Sequence, residues 1–139
     1  GFIDRIDETA KGVRVIDYKT GADNTTFKSV PSVFDPENTT RNKAAFQTML
    51  YCLMFSHANP VHKPLIPGIY STKALFGKDY NYRLKCDKEY IDDFATHREE
   101  FLNNLTPLLE QLYSPDVPFV QTTQEKKCRN CPYNTICRK

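Results

Sequence analysis

Two aspartates and a lysine near the start of the chain are the residues best suited to chemistry. Asp4, in GFIDRIDE, and Asp17 and Lys19, in VIDYKTG, lie on either side of Thr9-Ala10-Lys11-Gly12. The flanking stretches, Phe2 to Glu8 and Val13 to Tyr18, are rich in β-branched and aromatic residues, and the link ends in Gly, so a β-hairpin is expected. With Glu8 facing Val13, the register puts Ile6 opposite Val15, Asp4 opposite Asp17 and Phe2 opposite Lys19 on one face. The other face carries Ile3, Arg5 and Asp7 opposite Tyr18, Ile16 and Arg14. Asp7 facing Arg14 is a cross-strand ion pair and supports this register. Asp4 facing Asp17 is the reverse case, because carboxylates whose Cα atoms stand about 4.5–5.5 Å apart repel unless a proton or a cation lies between them. A divalent metal ion would resolve the conflict. The plain alternative is a solvated hairpin end, or a slip of one residue that sends one carboxylate to the other face. Against it stands the apolar Val15-Ile16 that leads directly into Asp17, since a polar triad at the tip of a buried strand is costly without a task.

A second set of reactive residues lies at the other end. Three of the five cysteines, Cys128, Cys131 and Cys137, form C-x2-C-x5-C, whereas Cys52 and Cys86 stand alone. An odd, clustered set in a chain with no secretory leader argues for a metal ion or an iron–sulfur cluster more than for disulfides. Three ligands do not close a tetrahedral site, so a fourth has to come from elsewhere. Cys52 falls in an expected helix and Cys86 near an expected helix start, where a small buried hydrophobe is the better reading.

The elements that must position these groups follow from periodicity. After the hairpin, residues 22–40 are polar with Pro31 and Pro36 and are expected as an extended loop. Between Arg41 and about Ser56, Ala45, Phe46, Met49, Leu50, Leu53 and Met54 recur at helical spacing, with Thr39-Thr40 as caps. Gln47 and Tyr51, four apart, share a face of that helix. Asn59 to Pro67 holds three prolines and reads as a loop, with His57 and His62 as surface residues. Gly68 to Ser71 reads as a third strand, and another is expected near Tyr80 to Leu84. From Asp87 onward Ile91, Phe94, Ala95, Phe101, Leu102 and Leu105 describe a second helix. Thr106-Pro107 fits an N-cap and first helical position, so a kinked continuation from Leu108 to Tyr113 is expected.

With 139 residues, a formal net charge of +2 and 40% hydrophobic residues, a single domain with one modest core is expected. No apolar run approaches the roughly 20 residues of a membrane span, and no signal peptide is evident. The chain opens on Gly1 directly inside a strand, so the expectation is a domain lacking its N-terminal part. The small basic excess does not by itself imply a polyanion. The basic tail, Lys126, Lys127, Arg129, Arg138 and Lys139, is a solvated face unless the fold gathers it beside a groove.

GFIDRID, VIDYKTG, QTMLY and CRNCPYNTIC, in that order and spanning nearly the whole chain, resemble the PD-(D/E)XK nuclease superfamily, and within it the RecB-like exonuclease branch that includes AddB nuclease domains and CRISPR adaptation nucleases. The resemblance implies an α/β fold: a restriction-endonuclease-like core with a mixed β-sheet, a central hairpin flanked by helices, and a cysteine-rich C-terminal tail over residues 120–139. It implies that Asp4 and Asp17 ligate Mg²⁺ or Mn²⁺, that Tyr18 offers its backbone carbonyl, and that Lys19 aligns or activates the attacking water. Gln47 and Tyr51 look like the family's Q-x3-Y motif bordering the site. Cys128, Cys131 and Cys137 look like three ligands of a [4Fe–4S] staple whose fourth cysteine is not in this chain, with zinc as a substitute metal. The implied activity is a metal-dependent DNA exonuclease of a repair and recombination helicase–nuclease system. Its substrate would be single-stranded DNA or unwound ends, its partner a helicase or helicase domain, and its location the bacterial-type cytoplasm beside the nucleoid. The alternatives are a catalytically inactive DNA- or partner-binding module that retains the nuclease fold, and a zinc-binding structural domain that leaves the aspartates without a role.

Overall fold

The computed structural model describes residues 2–21, 24–118, 120–122, 124–129 and 131–137, with Lys126 described by its backbone alone. Of the tail's basic residues, Arg138, Lys139 and the Lys126 side chain therefore lie outside the described set. The chain divides into two compact units, residues 1–106 and 107–139.

The first unit is built on a mixed sheet of order β1-β2-β4, from Arg5–Thr9 (β1), Gly12–Lys19 (β2) and Leu65–Ser71 (β4). β1 pairs antiparallel to β2 in the expected register, Asp7 on Arg14 and Glu8 on Val13. The ladder runs one pair further than expected, to Thr9 on Gly12, which leaves Ala10-Lys11 as the turn. Gly12 sits at φ +150° with its Cα against the Pro64 carbonyl, where a Cβ would come within 2.3 Å of the oxygen. β4 lies parallel to β2, with Asp17 beside Ile69 and Lys19 beside Ser71.

β4 begins at Leu65, inside the stretch expected as a loop, and carries Pro67 within it. The proline is tolerated because of where its missing donor would point. Ile69 N–H, on the same side two residues on, donates away from β2 to the Tyr82 carbonyl at 2.7 Å, so Pro67 removes nothing from the β2 ladder. The segment 82–84 runs along this outer side with a single bridge, Gly68 to Arg83. It passes so close that a Cβ on Gly68 would meet the Tyr82 ring at 2.6 Å.

One helix, Lys43–Ala58 (α1), covers the sheet face bearing Val15 and Ile69, and buries Ala44, Ala45, Met49, Cys52 and Leu53 against them. Of these, Met49 and Leu53 contribute about 1.5–3 kcal/mol each by leaving water, and the alanines less. The helix starts two residues later than expected because Asn42, rather than Thr39-Thr40, caps it. Asn42 Oδ1 accepts from Ala45 N–H at 2.9 Å while its Nδ2 donates to the carbonyls of Asn24 and Thr26.

The polar stretch expected as plain loop contributes a short strand, Thr26–Phe27 (β3), and a 3₁₀ turn at Pro31–Val33, with Phe27, Val30 and Val33 buried. β3 belongs to a second small sheet of order β3-β5-β6, with Lys85–Cys86 (β5) and Glu89–Tyr90 (β6). No strand forms at 80–84 beyond the single bridge, and the region expected to open the second helix is this hairpin. Asp87, at φ 53°, turns it, a conformation that Asp tolerates better than most residues.

Cys86 consequently lies on a strand, where burial pushes its thiol pKa up, while Cys52 is fully buried in α1, as expected, with its pKa raised by desolvation. The second helix is Ala95–Tyr113 (α2). Asp93 Oδ1 accepts from Ala95 N–H at 3.0 Å at its start and also from Leu65 N–H at 3.1 Å at the start of β4. Phe101 packs its ring against those of Phe34, Phe46 and Phe94 in the core. The expected kink after Thr106 is not a break, because Pro107 lies inside the continuous helix. The second unit holds the end of α2 and a short helix, Glu125–Cys128 (α3). Among the described residues no helix is long and apolar enough to cross a membrane.

Candidate active site

β2 changes character along its length. Val15 and Ile16 are fully buried, and the strand then runs into Asp17, only 2% exposed, and Lys19. Side chains alternate across a strand, so Asp17 and Lys19 share the face covered by α1, whereas Tyr18 points to the opposite one.

On the α1 face a chain of contacts joins strand to helix. Lys19 Nζ lies 2.7 Å from Asp17 Oδ2 and donates to Gln47 Oε1 at 2.9 Å. Gln47 Nε2 in turn donates to the Tyr51 hydroxyl at 2.8 Å. The i, i+4 spacing of Gln47 and Tyr51 makes the last contact, and the amide orientation follows from its neighbours: the oxygen meets an ammonium, which only donates, and the nitrogen meets a phenol oxygen. The structure thus brings together Asp17, Lys19, Gln47 and Tyr51.

Asp4 is placed differently from the expectation. The β1–β2 ladder ends at Arg5 on Ile16, so Asp4 is not a cross-strand partner of Asp17. It sits in a bend just ahead of β1, exposed, and its Oδ2 accepts from the Tyr18 backbone N–H at 2.8 Å. Phe2, expected opposite Lys19, is 91% exposed. The repulsion expected of a facing pair is thereby avoided: a backbone donor meets the Asp4 carboxylate, and the Lys19 ammonium meets Asp17. Asp4 still returns to the same three-residue segment, 17–19, by gripping its middle amide.

The site also has neighbours that periodicity did not indicate. Ser71, 2% exposed, is the β4 partner of Lys19. Its Oγ donates to the Gly21 carbonyl at 3.2 Å, and Thr72 N–H donates to the Lys19 carbonyl at 2.9 Å. The only sequence signal was a serine closing an apolar run, and nothing in one sequence reports which strand lies parallel to which.

The opposite face of β2 carries a different cluster. Arg14 meets Asp7 through two bonds of 2.6 Å each, and Arg5 joins the same carboxylate. The Arg14 hydrogen bond, ahead of that from Arg5, holds the Asp7 carboxyl below its ordinary pKa. Arg14 also stacks 5.3 Å above the centre of the Tyr82 ring.

Fit to a metal ion follows from donor chemistry. Two carboxylates and a backbone carbonyl are hard oxygen donors, the set that suits Mg²⁺ or Mn²⁺, with water filling the remaining positions. Among the described residues no three His, Cys, Asp or Glu side chains gather into a group able to hold a metal. By donor type Asp4 and Asp17 suit such an ion, but with no third such side chain beside them among the described residues they do not form a gathered ligand group. The same observation weighs against the tail as it stands. Cys128, Cys131 and Cys137 are partly buried and free, but are not drawn together as ligands. The three thiols as placed do not fit a closed cluster.

The family model of the PD-(D/E)XK nuclease superfamily matches residues 1–138. No curated protein and no solved structure matches the chain. The match takes in both compact units and the whole Asp17–Lys19–Gln47–Tyr51 network, on a mixed sheet with a central hairpin strand and a covering helix. The chain belongs to the PD-(D/E)XK nuclease superfamily, hydrolytic nucleases of DNA that typically use divalent metal ions.

Proposed function

We propose that this chain carries the metal-dependent exonuclease activity of a RecB/AddB-like repair and recombination system, acting on single-stranded DNA or unwound ends delivered by a helicase partner or helicase domain. The observation that carries the reading is the contact of Lys19 with both Asp17 and Gln47, at the end of a buried strand whose Tyr18 amide is held by Asp4.

In this reading Asp4, Asp17 and the Tyr18 carbonyl hold Mg²⁺ or Mn²⁺. When bound, such an ion supplies charge stabilisation at the phosphoryl oxygens and a nucleophilic water. Lys19 donates to that water or to a phosphate oxygen and so aligns the attack. Gln47 keeps the ammonium on the Asp17 side by accepting one of its three donors, and Tyr51 fixes the Gln47 amide by accepting from its nitrogen. The net reaction is hydrolysis, in which the water oxygen bonds to phosphorus, the bond from phosphorus to the leaving sugar oxygen breaks, and that oxygen takes a proton. Cys128, Cys131 and Cys137 contribute to a [4Fe–4S] staple only with a fourth ligand from outside residues 1–139 and with the tail closed around it, zinc being the substitute.

The test is degradation of end-labelled single-stranded DNA with Mg²⁺ or Mn²⁺. Asp17→Ala and Lys19→Ala are each expected to remove activity by roughly 10²-fold or more, and activity indifferent to both would refute the site. Iron and sulfide analysis with absorption spectroscopy under anaerobic conditions tests the staple separately.

A further inference from the structure

Beyond Ser71 the chain does not turn directly into its next strand but forms an exposed lobe, residues 72–79, in which every residue is exposed. The lobe is ordered by successive turns: Ala74 N–H donates to Ser71, Gly77 N–H to Ala74 and Tyr80 N–H to Gly77. It is fastened at both ends to the strands of the site. At its start Thr72 N–H donates to the Lys19 carbonyl at 2.9 Å. At its end the Tyr80 hydroxyl accepts from Ser71 N–H at 2.8 Å and donates to the Ile69 carbonyl at 2.5 Å.

On this fastened lobe stand Phe76, 93% exposed, and Leu75, 38% exposed. Lys73 and Lys78 flank them, and among the described residues neither lysine has an acidic partner. Phe76 is four residues from Thr72, a reach of at most roughly 14 Å even fully extended, and the turns shorten it. An aromatic ring with two flanking ammonium groups is the combination that takes a nucleic acid strand without regard to sequence. A base stacks on the ring, while the cations meet the phosphates on either side.

We infer that the lobe 72–79 is a strand-holding element of the site, with Phe76 stacking a base of the single strand and Lys73 and Lys78 binding its phosphates. The inference rests on the nuclease reading for its substrate, single-stranded DNA, and adds where outside the catalytic residues that strand is gripped. Nothing in the core needs Phe76, so its substitution leaves the fold intact.

The experiment is fluorescence anisotropy of the whole chain with labelled oligodeoxythymidylate in EDTA, where no cutting occurs. Phe76→Ala is expected to weaken binding by about 5- to 100-fold, the range of one lost base–aromatic stack. Phe76→Trp is expected to retain binding, and Phe76→Leu to lose it, because leucine keeps the apolar surface but has no π face. The double variant Lys73→Ala, Lys78→Ala is expected to flatten the salt dependence of log K by about 1.4, at roughly 0.7 per phosphate contact on a single strand. Unchanged affinity for Phe76→Ala or Phe76→Leu overturns the inference and leaves the lobe to a protein partner, and an unchanged salt slope overturns the lysines' part. These outcomes separate from failure of the nuclease reading. If the wild type cuts DNA and Asp17→Ala does not, the site stands whatever Phe76 does. A chain that binds through Phe76 but never cuts keeps the lobe and loses the nuclease.

Discussion

Strand β2 bears two acid–base clusters on its opposite faces, and they are built on different plans. Asp7 and Arg14 meet through two parallel bonds, with Arg5 added at the same carboxylate. Planar, bidentate and closed, that arrangement uses both oxygens on protein donors. Asp17 and Lys19 meet at 2.7 Å, and the ammonium is shared with Gln47 on another element. Lysine is a compact point charge with three rotatable donors, so this contact can be exchanged for a water or a phosphate oxygen without dismantling a fork. One cluster is made to stay, and the other can rearrange.

Substitutions should separate the two plans, and the largest expected effect is catalytic. Lys19→Ala, measured as DNA hydrolysis with Mg²⁺, should lose roughly 10²-fold or more in rate. Because Asp17 is only 2% exposed, losing its cation should also lower stability, so the rate is read per folded molecule. An unchanged rate per folded molecule would leave the pair a purely structural role.

Arg14→Ala should do the reverse. Leaving Asp7 without its fork and Tyr82 without its stacked cation should cost about 1–3 kcal/mol in chemical denaturation, with activity per folded molecule unchanged. Gln47→Ala comes next. Losing the acceptor that steadies Lys19 should lower the rate about tenfold, roughly 1.4 kcal/mol, and Gln47→Glu, which keeps the acceptor, should lose less.

The smallest effect is in acid. The Asp7 pKa is lowered in the folded chain from its ordinary 3.8, so between the folded and unfolded values the unfolded chain binds more protons. The pair's contribution is therefore complete above about pH 4–5 and lost as pH falls through the folded value. Asp7→Asn should flatten that limb of a stability–pH curve by about 1 kcal/mol, and an unaltered limb would show that the fork carries no linkage.

The sequence disclosed these clusters unequally, for physical reasons. The Asp7–Arg14 pair could be read directly, since alternation and opposite charge both select one hairpin register, and that register carried Asp17 and Lys19 to a common face. Gln47 and Tyr51 were legible as a helical i, i+4 pair. What could not be read was where the ladder stops. Asp4 leaves the strand one residue before its predicted partner, because a backbone N–H offers its carboxylate a better neighbour than a second carboxylate. Pro67 concealed the start of β4, since composition does not reveal that the missing donor faces the outer side. Ile91 and Phe94 are buried as their spacing suggested, but by a hairpin and a connecting loop, because both arrangements place them in the same core. Ser71 and the lobe after it depend on a parallel pairing between distant segments, which leaves no local mark.

Asp93 has a bearing on how this chain acquires its structure. One carboxylate oxygen receives the first amide of β4 and the first amide of α2, residues 28 positions apart in the case of Leu65, and Phe94 N–H closes the loop on the Leu65 carbonyl at 2.7 Å. The strand that lies beside Asp17 and Lys19 is thus latched by residues made well after it. During synthesis the hairpin can form as soon as it emerges, but β4 has no latch until Asp93 has left the ribosome. β4 must wait for that non-local closure, whose entropic cost is met before its contacts are gained.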